Sequence, residues 1–165
     1  MLETSESKFS QDEWQTIRAG PASAGTLVMA SSLSGLTGLL AETQAIALAL
    51  RELGLASQSA FVRELFHPSQ APSPAPSQPF KSIEDAREQL LNRVRQAAFL
   101  VDSKIAADDA LEYKKLIISV AERTAAAALE GGFLGLGGVQ VSEAERGILN
   151  ELRVQLRLEN TPLAL

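Results

Sequence analysis

Gly131-Gly132-Phe133-Leu134-Gly135-Leu136-Gly137-Gly138 is a glycine-rich loop between two segments of helical period, and the stretch Asp108 to Leu158 that contains it decides the fold class. Before the loop, apolar or small residues recur at Tyr113, Ile117, Val120, Ala121, Thr124 and Ala128. After it they recur at Ile148, Leu149, Leu152 and Leu156. Spacings of three and four place each set on one face of an α-helix. The alternating apolar and polar runs that mark half-buried strands are missing, and valine and isoleucine sit at helical intervals. The expectation is an all-α bundle of about seven helices.

Working outward, several helix starts carry their own chemistry. Ser142 with Glu145, and Ser10 with Glu13, have the spacing of a capping box, in which each side chain bonds the other's backbone N–H. Phe9 and Trp14 flank the second of these boxes as a hydrophobic staple. The first helix is expected over Gln11 to Ala19, stopped by Gly20-Pro21, because proline cannot continue a hydrogen-bonded helix. A second, Ala22 to Leu33, is made of small and apolar residues and should be central or at an interface. A third spans Leu36 to Leu53 with Leu39, Leu40, Ile46, Ala47, Leu50 and Leu53 inward, closed by Gly54. A short fourth spans Ser57 to Phe66. Ser82 starts the next, Ile83 to Val101, with an apolar stripe of Ile83, Ala86, Leu90, Val94, Ala97 and Val101. Asp108 or Asp109 is the expected cap of the long helix before the glycines, with Glu112 at capping-box spacing from Asp109.

Between the fourth and fifth helices, His67 to Lys81 holds five of the seven prolines and reads as an extended loop. The expectation is one helical domain over 1–165 in which this loop joins 9–66 to 82–158. With 45% hydrophobic and 21% charged residues, the composition is that of a globular chain. A net charge of −5 argues against general nucleic-acid binding, which depends on Lys and Arg neutralising phosphates. Cysteine is absent, which excludes disulfides, thiolate metal sites and cysteine nucleophiles. The opening Met1 to Lys8 is polar and lacks the apolar run of a signal peptide, so a cytoplasmic location is expected. Ala19 to Ala41 carries no charge, but its glycines, proline and serines read as buried helix and turn, not as a span.

Candidate chemistry is sparse. The glycine loop does not satisfy G-x-G-x-x-G, since Gln140 stands at the sixth position from Gly135. It fails the P-loop pattern as well, because Gly138 and Val139 replace Lys and Ser or Thr. Phe133, Leu134 and Leu136 read as a docking loop for a protein partner or a membrane surface, or as a loop folded back on its own domain. Glu143 and Glu145, and Asp108 with Glu112, offer oxygen ligands for a divalent metal, yet all lie at helix starts where acids stabilise the dipole. His67 reads as a solvated loop histidine with no nucleophile placed beside it, and no catalytic residue is assigned.

The pattern Phe9-Ser10-x-x-Glu13-Trp14, with Glu130-Gly131-Gly132-Phe133-Leu134-Gly135-x-Gly137-Gly138-Val139-x-Val141-Ser142-Glu143-x-Glu145, resembles a group of short, uncharacterised bacterial all-helical proteins. More distantly the chain resembles the tellurite-resistance TerB-like fold, whose two related halves would be Ala22–Leu53, with Glu42, and Asp109–Leu158, with Glu145. That resemblance implies a stress-response metal-binding module using Glu42, Glu143 and Glu145. The family's first-turn Asp-Gly is Ser34-Gly35 here, with Ser31 and Ser32 before it in place of acids.

The leading expectation is therefore a non-enzymatic interaction or scaffold protein of a bacterial cytoplasm, homodimeric through the small-residue helix. The metal module and a membrane-surface protein are the alternatives.

Overall fold

The computed structural model describes residues 4–31, 36–68, 70, 80–130 and 142–160, excepting the side chains of 36–43 and 128–130. A 3-10 turn, Ser5–Lys8, leads into six α-helices: α1 Gln11–Ser31, α2 Leu36–Ala56, α3 Ala60–Leu65, α4 Ile83–Lys104, α5 Ala107–Glu130 and α6 Glu143–Leu156. The chain is all-helical, with no strand among the described residues. α1 is central and packs on α4 and α5; α2 covers α5, and α6 lies against α1, α5 and α4. Helices from both sides of the proline-rich segment share one core, which includes Trp14, Val28, Phe61, Val94, Tyr113 and Leu152.

Among the described residues the helices number six, close to the seven expected, because Gly20-Pro21 does not end a helix. α1 runs through both residues to Ser31. Pro21 has no N–H, so the carbonyl of Ile17, one turn earlier, loses its intrahelical donor. The hydroxyl of Tyr113 on α5 donates to that carbonyl instead, at 2.6 Å, within the core. Gly20 makes room for this: a Cβ there would run into the Tyr113 hydroxyl and lie 2.8 Å from the Ala97 Cβ on α4. The pair expected to break the helix is thus the point where three helices meet. Ala22, the expected start of a first half, lies inside α1.

Gly54 is likewise internal to its helix and does not close it. α2 continues to Ala56, and a Cβ at Gly54 would lie 2.7 Å from the Phe66 Cβ at the end of α3. The small-residue segment Ala22–Leu33 is central, as expected, but its face is taken up within the chain. Ser23, Ala24, Gly25, Leu27 and Val28 are buried, and a Cβ on Gly25 would collide with Ile46 of α2 and approach Thr124 of α5. Ala22, Thr26, Met29, Ala30 and Ser31 of the segment are half-buried, and Ser32 and Leu33 lie outside the described residues.

Most local signals appear where they were read. The Ser10–Glu13 and Ser142–Glu145 boxes are both formed, and Ser82 accepts from the Asp85 N–H. Phe9 meets Trp14 with ring centroids 5.8 Å apart. On α5, Tyr113, Ile117, Val120, Ala121 and Thr124 are fully buried. Three readings are corrected. Asp108 and Asp109 lie inside the first turn of α5, which begins at Ala107, and Glu112 pairs with Lys115 instead of capping. Ile83 is 69% exposed, because α4 begins beyond the edge of the core. On α2 it is Ala49 that is buried, while Ala47 faces outward.

Replacing Tyr113 by Phe leaves the Ile17 carbonyl without a donor in the core and should lower stability by about 1–3 kcal/mol. Gly20→Ala forces the overpacking just described and should cost about 1–3 kcal/mol as well. Because the Ala methyl and the hydroxyl compete for one space, urea unfolding of the double variant should show less destabilisation than the sum of the two.

Candidate functional site

A cleft of about 440 Å³ lies between the 3-10 turn, the end of α2 and α3. Its walls include Glu6, Leu55, Arg63, Glu64, His67 and Gln70. Ser59 starts α3 by accepting from the Val62 N–H, and this orients Arg63 and Glu64 on successive positions of a short helix. Arg63 turns back, donating from Nη1 to the carbonyls of Ser57 and Gln58 at 2.6 and 2.9 Å. Glu64 reaches across to the 3-10 turn, where its two oxygens accept from the Ser5 and Glu6 N–H groups at 3.0 and 3.2 Å. His67 is exposed at the turn after α3, its N–H bonded to the Glu64 carbonyl and its carbonyl to the Gln70 N–H.

Behind α3, Arg18 of α1 is 6% exposed and donates from Nε to the Leu65 carbonyl at 3.3 Å. Burial holds its guanidinium below the ordinary value, and the charge of Glu6 acts in the opposite sense. Glu64 thus fastens the 3-10 turn to α3, and Arg18, behind the cleft, fastens α3 to α1. The rim of the cleft carries charges of both signs in Glu6, Arg63 and Glu64.

Of the residues proposed for a metal, Glu143 and Glu145 open α6. Glu145 is buried, and its Oε2 accepts the Ser142 N–H at 2.8 Å as the inner half of the capping box. Glu143 is exposed. Glu42 lies on α2, and its side chain falls outside the described residues. Among the described residues, no three His, Cys, Asp or Glu side chains gather as a metal group. Phe133, Leu134 and Leu136 lie outside the described residues. No helix among the described residues is long and apolar enough to cross a membrane.

Sequence reasoning did not find Glu64, Arg18 or the pair of Glu122 on α5 with Arg153 on α6. Glu64 and Ser5 are 59 positions apart, and no local pattern marks a carboxylate that caps a distant turn. Glu122 and Arg153 are 31 positions apart and meet only when α6 folds back on α5. Burial raises the Glu122 carboxyl above its ordinary 4.5, and Arg153 offsets part of that rise.

Because Glu122 takes up a proton more readily in the folded chain than in the unfolded one, its protonated form favours folding. That contribution is full below pH 4.5 and is lost as pH rises through the elevated folded value. The stability of Glu122→Gln relative to the parent should therefore increase with pH across this window, as read by urea unfolding at several pH values. Glu145→Ala removes half a capping box and should cost about 1 kcal/mol in the same assay. Comparison with protein-family models, with curated proteins and with solved structures finds no match for this chain.

Proposed function

We propose that this protein is a non-enzymatic interaction or scaffold module of the bacterial cytoplasm, acting through the outer faces of its helices. The observation that supports the reading is Phe99. It is 70% exposed on α4, a helix of 22 residues anchored along its opposite side by buried Leu90, Val94, Ala97 and Val101. A large aromatic held on a rigid helix loses little conformational freedom on binding and is a common anchor of protein interfaces.

The way polar groups are used inside the bundle agrees with this. Tyr113, Arg18, Ser59, Thr124 and Glu145 are buried, and each bonds the main chain of this protein. Their role is architectural, which leaves recognition to the surface. Around Phe99, Arg95 bonds Gln155 and Asn92, and Asp102 pairs with Lys114, so the polar neighbours are already oriented.

Phe99→Glu should leave the thermal midpoint within about 2 °C, because an outward substitution touches no core. Crosslinking in cells followed by mass spectrometry should find a protein attached to α4 in the parent and absent from the variant. A parent chain that stays monomeric by light scattering and gains no crosslink sensitive to Phe99 would overturn the reading.

A further inference from the structure

The segment ahead of α1 is fastened in an unusual way. Thr4 supplies no side-chain cap to the 3-10 turn Ser5–Lys8, and no residue of that turn is buried. The turn's first N–H groups are satisfied by the carboxylate of Glu64, which comes from α3. At the other end Phe9 rests on two buried rings, with centroids 5.8 Å from Trp14 and 6.3 Å from Phe61. Lys104, from the end of α4, stands 5.2 Å over the Phe9 ring and also pairs with Glu13. Trp14 itself is 2% exposed, and its indole N–H reaches no acceptor.

We propose that Thr4–Phe9 is a strap that opens as a unit from the folded bundle and uncovers an aromatic groove of Trp14 and Phe61, with Glu64 as its latch. The Glu64 carboxylate and the rings under Phe9 are the strap's main anchors, with Gln70 Nε2 also donating to the Glu6 carboxylate at 3.5 Å; Ser7 and Lys8 between them are exposed. Segments with few buried apolar contacts open at a smaller free energy than the core does. The helices beneath do not need the strap for their own ladders. α1 begins at Gln11 behind the Ser10–Glu13 box, and α3 has Ser59. When Phe9 lifts, Trp14 and Phe61 remain packed edge to face on the bundle. This inference does not depend on the interaction reading above, since it concerns an opening of the chain itself.

The single tryptophan makes the opening directly readable. Glu64→Ala removes both acceptors, whereas Glu64→Gln keeps one neutral carbonyl oxygen. Hydrogen bonds to a charged group are stronger than neutral ones, so Glu64→Ala should speed amide exchange at Ser5 and Glu6 by about tenfold or more, with Glu64→Gln between it and the parent. Acrylamide quenching of Trp14 should rise in the same order, while helical content by circular dichroism and exchange in the middle of α1 stay unchanged. Phe9→Ala should raise quenching through the other anchor. Two results would overturn the proposal. One is faster exchange at Ser5 and Glu6 with Trp14 still shielded, which is simple fraying. The other is exposure of Trp14 only together with loss of helical content, which is global unfolding.

Discussion

The bundle turns on one hydrogen bond, from the Tyr113 hydroxyl to the Ile17 carbonyl. A proline in a helix interior costs about 3 kcal/mol or more, mostly through a lost donor and a crowded ring. Here the lost donor is replaced from another helix, at a position where Gly20 has no side chain to keep that helix away. Burial pushes the Tyr113 hydroxyl well above its usual ionisation range, which favours its protonated, donating form. The same ring meets Phe61, which meets Trp14, which meets Phe9. One aromatic file thus ties the centre of the bundle to the segment ahead of α1.

Close approach is the common device. Gly20 admits α4 and α5 to α1, Gly25 admits α2 and α5, and Gly54 admits the end of α3 to α2. Each omits a Cβ that would meet a neighbouring side chain closer than atoms pack, which outweighs the roughly 1 kcal/mol that glycine loses to alanine inside a helix. Ion pairs such as Arg87–Glu151, Arg123–Glu52 and Lys104–Glu13 sit around the outside. Exposed pairs of this kind contribute little to stability, and their effect is more on which faces meet.

The buried side chains of Tyr113, Arg18, Ser59, Thr124 and Glu145 are all bonded to the protein's own main chain. The exposed Phe99 and the strapped Trp14–Phe61 groove are different kinds of surface: one stands open, and the other is already occupied by the chain. Both depend on the same rigid core, because an anchor on a loosely held helix would lose in ordering entropy what it gained in contact.

By itself the sequence determined the all-helical class, the buried face of α6, most of those of α4 and α5, the Ser10–Glu13 and Ser142–Glu145 capping boxes and the Phe9–Trp14 staple. These rest on periods of three to four residues and on bonds between near neighbours, so the information is local. Tertiary structure alone decided that α1 continues through Gly20-Pro21, that Gly54 lies inside α2, that Glu64 caps a turn far from it in sequence, and that Glu122 meets Arg153. Read locally, Gly-Pro is a stop signal. It becomes a helix interior only because a hydroxyl 96 positions away supplies the missing donor, and no window of neighbouring residues contains that fact.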